Sequence, residues 1–265
     1  MLIVDGCQFL SDTVLPFHLL PFLPKLETLE VRNCNSMKTI FDVKCTPKDT
    51  SITFPLNKLI LSNLPKLKNI WNEDPIGILS MPNLQEVFVD NCRSLKSIFP
   101  TSVAEHLEKL ENLKVKNCER LITIVAQEHD KDQEIIFKRL KVLDLQNLDE
   151  LTCFYPGNFT LSFRSLDEVH VINCSSMKIF SEVHKIHHSI KWYVAGNPEP
   201  RQESDLNAAV RKTFEEKVRI LLPLILCLIV RVGNLSMSLG FILSKDKKVK
   251  FHIKMKSHKF IVLKF

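Results

Sequence analysis

The sequence predicts an α/β solenoid, a right-handed superhelix of about seven coils whose inner layer is a parallel sheet of about seven short strands. Three observations predict it. The dipeptide Asn-Cys occurs four times in one apolar frame, as "VRNCNSM" at 31–37, "VDNCRSL" at 89–95, "VKNCERL" at 115–121 and "VINCSSM" at 171–177. Aligned on that frame, Cys7, Cys34, Leu64, Cys92, Cys118, Leu148 and Cys174 recur at intervals of 27, 30, 28, 26, 30 and 26 residues. Each full copy has a fixed apolar stretch upstream and a Leu or Met three residues downstream.

The upstream stretch justifies the strands. Leu26, Leu29 and Val31 are matched by Leu56, Leu59, Leu61, by Leu84, Val87, Val89, by Leu110, Leu113, Val115, by Leu140, Leu143, Leu145 and by Leu166, Val169, Val171. The alternating pair at the end of each triplet sends side chains to one face of a strand and their neighbours to the other. One such coil cannot bury its own apolar face, so the coils must stack. The repeating unit L-x-x-L-x-[LV]-x-x-[CL]-x-x-[LM] matches the leucine-rich-repeat signature L-x-x-L-x-L-x-x-N/C-x-L, the unit of a horseshoe-shaped solenoid. It differs in one respect. The downstream Leu or Met lies three residues after the Cys position rather than two, which leaves the conformation of the outer side open.

The outer connections absorb the variable length. "DVKCTPKDTSIT" at 42–53, "AQEHDKDQE" at 126–134 and "YPGN" at 155–158 are turn-like or polar, and "TSVAEHLEKLE" at 101–111 reads as a short outer helix with Ser102 and Glu105 as a capping box. Leu23, Phe54, Met81, Leu107, Phe137 and Phe163 are expected to seal each coil from below. The recurring position Cys7, Cys34, Leu64, Cys92, Cys118, Leu148 and Cys174 is expected to form a structural ladder, one rung per coil. Leucine at two of the seven sites is incompatible with a metal ligand, and small, weakly polar Cys suits a buried rung.

"FPLNKLILSNLPKLKNIWNEDP" (54–75), "MPNLQEVFVDNCRSLKSIFP" (81–100) and "LEKLENLKVKNCERLITIV" (107–125) resemble the repeats of plant disease-resistance proteins. The likeness is to the intracellular nucleotide-binding, leucine-rich-repeat receptors of the coiled-coil class, the legume groups above all, and it covers 1–218. "NPEPRQESDLNAAVRKTFEEKV" (197–218) is similar to a segment those proteins carry between repeat blocks. The resemblance implies recognition of a pathogen effector, of a guarded host protein, or of the nucleotide-binding domain of a receptor. It implies no catalysis and no cofactor in this region. Neither G-x-x-x-x-G-K-[ST] nor G-x-G-x-x-G occurs in the 265 residues, so the nucleotide-binding switch of such receptors is not among them.

On a solenoid of this kind the solvent-facing strand positions are the ones free to vary. Glu30, Ile60, Phe88, Lys114, Asp144 and His170 form one expected row, and Arg32, Asp90, Lys116 and Gln146 belong to the next. Ile60 and Phe88 are apolar residues on a face that should be wet, bordered by charge, which points to a protein-contact surface. "HKIHH" at 184–188 puts His184 and His188 four apart without a further acid or Cys to complete a metal site, so exposed or capping histidines are expected. No Ser/His/Asp or Cys/His arrangement can be assembled, and an enzyme is not predicted.

The division expected is a solenoid over 1–196, a capping or linker helix over 197–218 and a hydrophobic, then Lys-rich tail over 219–265. Ser204 or Asp205 should cap the helix, with Leu206, Val210, Phe214 and Val218 as its apolar stripe. Residues 219–265 hold ten Lys/Arg against one acid, whereas 1–218 hold 26 against 29, so the net charge of +6 belongs to the tail and no nucleic-acid partner is predicted. The N-terminus lacks the basic start of a signal peptide, so the chain is expected in the cytoplasm with reduced thiols. The alternative is membrane contact through 220–243, where 11 apolar residues run from Ile220 to Val230 before Arg231 interrupts them.

Overall fold

The computed structural model describes residues 1–9, 12–43, 51–127, 134–233, 238–243, 249–254 and 260–264, with side chains described as far as residue 221. Two compact units are present, Met1–Phe214 and Glu215–Phe265. The connectors at 42–53 and 126–134 lie largely outside the described residues.

In the first unit, one long sheet runs through every coil. Its strands are β1 (Leu2–Asp5), β2 (Thr28–Arg32), β3 (Lys58–Ser62), β4 (Glu86–Asp90), β5 (Asn112–Lys116), β6 (Val142–Gln146), β7 (Glu168–Ile172), β8 (Ile190–Tyr193) and β9 (Arg201–Glu203). Spatial order equals sequence order. β1 to β8 pair in parallel, and β9 closes the row antiparallel to β8. The register is set by the apolar pair. Leu29, Leu59, Val87, Leu113, Leu143 and Val169 face one another in a line and have no solvent exposure, and Val31, Leu61, Val89, Val115, Leu145 and Val171 form a second buried line two residues on. A slip of one residue in any strand would turn its part of these lines into water. This is the parallel-strand solenoid the repeat requires.

The chain leaves each strand through an asparagine. Asn33, Asn63, Asn91, Asn117, Asn147 and Asn173 all have φ between 53° and 57°, and Gly6 (φ 64°) takes the same place after β1. Asn tolerates the left-handed region better than other side chains, and Gly enters it freely. The turned backbone aims each N–H at the next coil: Asn33 donates to Ser62 O (3.1 Å), Asn63 to Asp90 O (3.0 Å), Asn91 to Lys116 O (3.1 Å), Asn117 to Gln146 O (3.0 Å) and Asn147 to Ile172 O (2.9 Å). The side-chain amides add a second ladder. Asn33 Nδ2 donates to Asp5 (2.8 Å), Asn63 to Asn33 (2.9 Å), Asn91 to Asn63 (2.8 Å), Asn147 to Asn117 (2.8 Å) and Asn173 to Asn147 (2.9 Å). Asn117 instead donates to Asp90 Oδ1 (2.7 Å), where the ladder changes partner.

The three-residue spacing after the Cys position is a closed turn. The N–H groups of Met37, Leu67, Leu95, Leu121, Leu151 and Met177 return to the carbonyls of Cys34, Leu64, Cys92, Cys118, Leu148 and Cys174 at 3.1–3.4 Å. This drops the downstream Leu or Met into the core, where each is at most 3% exposed. The outer side is built mostly of short parallel strands. Thr13–Pro16, Thr39–Asp42 and Asn69–Trp71 form one set, Ser97–Phe99 and Thr123–Val125 a second, and Glu134–Phe137, Tyr155–Phe163 and Ser181–Ile186 a third. The "YPGN" stretch, expected as a connector, is the start of Tyr155–Phe163, whose register against Ser181–Ile186 shifts between Tyr155 and Thr160. Aromatic rings stack behind these strands: Phe41 on Trp71 (5.6 Å), Phe137 on Phe163 (5.3 Å) and Phe154 on Phe180 (5.1 Å). Their area fills the wide side of each coil, where aliphatic side chains would leave gaps.

The expected outer helix is a single turn, α1 (Thr101–Ala104), and it has no capping box. Pro100 precedes it with an extended backbone, and the Ser102 hydroxyl is bonded to Asp74 on the preceding coil rather than to its own helix end. Of the expected sealing residues, Phe54, Met81, Leu107, Phe137 and Phe163 are buried, and Leu23 is half-buried.

A longer helix, α2 (Leu206–Gly233), begins after β9 and continues past 218. Among its described side chains Leu206, Ala209, Val210 and Thr213 are buried, so the stripe follows i, i+3, i+4, i+7 spacing, while Phe214 and Val218 are half-buried. Trp192 Nε1 donates to Thr213 Oγ1 (3.0 Å), tying the helix start to β8. Arg211, Lys212, Glu215 and Glu216 are exposed. In the second unit, β10 (Ser238–Leu243), β11 (Val249–Lys254) and β12 (Phe260–Lys264) form an antiparallel meander.

The asparagine ladder sets a test. Asn63→Ala removes both side-chain hydrogen bonds and forces a Cβ-bearing residue without Asn's tolerance into positive φ. It is expected to cost about 1–2 kcal/mol of unfolding free energy in urea titrations. Asn63→Gly keeps the backbone geometry and should cost less than the alanine variant. Equal losses would mean that the turn's conformation is not what selects Asn.

Candidate protein-recognition surface

The strand positions that do not enter the core make three rows across the sheet. The middle row, in register, is Ile3, Glu30, Ile60, Phe88, Lys114, Asp144, His170 and Tyr193. A second is Asp5, Arg32, Ser62, Asp90, Lys116, Gln146 and Ile172. The third is Thr28, Lys58, Glu86, Asn112, Val142, Glu168 and Lys191. The sequence frame pointed to the first two rows. The third went unread because it lies one residue before the anchoring leucine, at the strand's entrance.

The structure therefore brings Glu30, Ile60, Phe88, Lys114, Asp144 and His170 side by side, with Arg32, Asp90, Lys116 and Gln146 beside them. Their exposures differ. Asp90 is exposed and most of the others are half-buried, but Asp144, expected on an open face, is 7% exposed. Its neighbours cover it: Lys116 Nζ lies 3.0 Å from Asp144 Oδ2, and Gln146 Nε2 donates to Oδ1 (2.7 Å).

Charge on this face is largely paired. Arg32 bridges Asp5 (2.9 Å) and Glu30 (3.0 Å), Lys58 meets Glu86 (2.6 Å), and Lys191 meets Glu168 (3.2 Å). Such half-exposed pairs contribute little to stability, about 0–1 kcal/mol each, but they fix where charge is cancelled. Two aromatic features interrupt the charge. The Phe88 ring lies between Lys58 Nζ (5.1 Å to its centroid) and Lys114 Nζ (5.5 Å), with Ile60 as its register partner on the other strand. His170 stacks flat on Tyr193, at 4.2 Å and 2°.

The cysteine and leucine positions lie behind the sheet. Cys34, Leu64, Cys92, Cys118 and Leu148 have no exposed area, Cys174 is 6% exposed and Cys7 is half-buried. Each described thiol in this column bonds back to the carbonyl two residues before it, at 3.2–3.6 Å. The Cys118 thiol next to it, together with burial, pushes the Cys92 thiol well above the usual thiol range. Burial also raises Cys34 and Cys153, so these sulfurs stay protonated and are poor nucleophiles. Cys153 lies outside the repeat frame, on the outer side, paired in a bridge with Thr123. Among the described residues no group of three or more His, Cys, Asp or Glu is placed to hold a metal.

His184 is a capping residue. The Leu206 N–H at the start of α2 donates to its Nε2 (3.2 Å), while Asp205 Oδ1 accepts from the Ala208 N–H (2.8 Å) and lies 3.5 Å from the same ring nitrogen. An accepting Nε2 requires the neutral ring with its proton on Nδ1. Burial lowers the His184 pKa, and the nearby Asp205 carboxylate opposes it; that carboxylate is itself held below its usual range, chiefly by the Ala208 N–H.

Residues 1–119 match the family model described as "Plant disease resistance protein RPS2-like, leucine-rich repeats". The Arabidopsis thaliana protein named "Putative disease resistance protein At4g19050" is 33% identical over 131 residues, 48% of this chain. The chain spans about a tenth of that protein's length, 10% of it being covered. No solved structure matches. Among the described residues no helix is long and apolar enough to cross a membrane. The leucine-rich-repeat region of this chain thus resembles that of plant disease-resistance proteins in sequence, and its parallel-strand stack is a leucine-rich-repeat solenoid.

The His184 cap has a pH signature. Folding favours the neutral ring, so its contribution is intact above the unfolded-state histidine value of ~6.5 and is lost as pH falls through and below it. Urea midpoints are expected to fall between pH about 7.5 and about 5, with His184→Gln reducing that fall. An unchanged pH dependence in the variant would remove the capping role.

Proposed function

We propose that this chain is a non-catalytic protein-recognition module of a plant disease-resistance receptor. Its partner on this reading is a pathogen effector, a guarded host protein that an effector has altered, or the nucleotide-binding domain of a receptor. Residues 1–196 act as the recognition solenoid and 197–218 close its end, working in the cytoplasm. The parent receptor is of the nucleotide-binding, coiled-coil class found in legumes, with the nucleotide switch outside these 265 residues.

The observation that carries this reading is the half-buried Ile60–Phe88 pair at the middle of a sheet face whose other charges are mostly paired. Aromatic anchors ringed by polar groups are where interface energy concentrates. An apolar pair facing water does nothing for the stack itself, because Leu59, Leu61, Val87 and Val89 already fill the interior from the same strands.

The test is proximity labelling in leaf cells, with a biotin ligase fused to the full chain and to an Ile60→Asp/Phe88→Asp variant whose far-ultraviolet circular dichroism is unchanged. A discrete set of proteins labelled by the wild type and lost from the variant is expected. Identical sets would overturn the reading.

A second reading, a membrane-anchored scaffold, has one observation in its favour: α2 carries the helix through the apolar run that starts at Ile220. The rest of the 220–243 segment includes residues outside those described. Carbonate-resistant pelleting of the full chain, abolished by deleting 219–265, would favour it over the unanchored module.

A further inference from the structure

Lys114 stands apart from the other cations of the sheet face. Its register partner on β6 is Asp144, the obvious counter-ion, yet both Asp144 oxygens are engaged elsewhere, one by Lys116 and one by Gln146. Its other register partner is Phe88, and the ammonium lies 5.5 Å from that ring's centroid. Of the two acids on the neighbouring strand, Asp90 faces Lys116 in register and accepts from the Asn117 amide, and Glu86 is held by Lys58. Lys58, the other cation over the ring, and Lys116, two residues along the same strand as Lys114, each have a carboxylate within 3.0 Å. Among the described residues Lys114 has none.

This arrangement combines an aromatic ring, an aliphatic neighbour in Ile60 and one free ammonium on three adjacent strands. A ring flanked by cations is a poor dock for a basic segment, which would meet like charge on both sides. It suits an apolar side chain laid on Phe88 and Ile60 with a carboxylate reaching Lys114, because that carboxylate gains a charge-assisted hydrogen bond without displacing an existing ion pair. Resting on the recognition reading above, we infer that the partner presents an extended segment in which an acidic residue lies two positions from a large apolar one, so that both side chains meet the same face. The acid engages Lys114, and the apolar residue two positions away covers Phe88 and Ile60.

The experiment uses the full chain and three terminally blocked, fluorescein-labelled dodecapeptides with Ser at every second position and, between the serines, Phe or Leu alternating with Asp, with Asn or with Lys. Binding is read by anisotropy and located by the Ile60 methyl resonance in a methyl-labelled sample. The Asp peptide is expected to bind and to shift the Ile60 methyl. The Asn peptide and the Lys114→Met variant should each weaken binding by about tenfold, the scale of one charge-assisted hydrogen bond, and Lys68→Glu on the opposite turn should leave it unchanged. If the Lys or Asn peptide shifts the Ile60 methyl with equal or greater affinity, the surface is a recognition site but the acidic assignment is wrong. If no peptide shifts that methyl, both this inference and the recognition reading fail.

Discussion

The structure depends on one backbone constraint repeated in every coil: the chain must reverse direction at the end of each strand while handing its amide to the next coil. Asn33, Asn63, Asn91, Asn117 and Asn147 at φ 53–57°, with Gly6 at φ 64°, meet it. The left-handed residue turns the strand inward and points its N–H at the following strand's last carbonyl. Every other feature follows from that hand-over. Parallel strands remain in register, Leu and Val line up in the core, and the residues between them are forced onto a flat solvent face at fixed spacing. A recognition surface on such a sheet needs no loop of its own, because its positions are delivered by the repeat.

The stack also explains why the cysteines are numerous and chemically quiet. The residue after each asparagine must drop straight into the core at the turn, where a leucine fits as well as a thiol, as Leu64 and Leu148 show by having no exposed area. Burial and an adjacent thiol keep Cys92 protonated. The sulfur column is a consequence of the turn rather than a site.

Much of the fold was legible because the repeat is written in leucines. The strand triplets, the buried downstream Leu or Met and most of the sealing aromatics can be read from spacing alone. Alignment on the Cys position hides the asparagine that precedes it. In "SNLPKL" and "QNLDEL" the Asn persists although the Cys has become Leu, so the residue held constant across all six turns is Asn and not Cys. That comparison, with Asn's tolerance of positive φ, was the available signal. The outer side was less legible. A single helical turn at Thr101–Ala104 stands where a longer helix was expected, because the chain there must also bond to the coils above and below. On the face, register alone placed the two rows, but only side-chain geometry shows that Asp144 is covered by Lys116 and Gln146, and this is what leaves Lys114 free. The third row, with Lys58 beside Phe88, had no marker in the sequence frame.

The central claim is tested most directly by amide hydrogen exchange at Asn33, Asn63, Asn91, Asn117 and Asn147. Most of their side chains are exposed, so burial gives no reason for slow exchange. Because each N–H is bonded to a carbonyl of the next coil, protection approaching that of the Leu59, Val87 and Leu113 amides in the strands is expected. Exchange of the asparagine amides at unprotected rates, with the strand amides still slow, would contradict the account, since the coils would then be held together without the hand-over on which it rests.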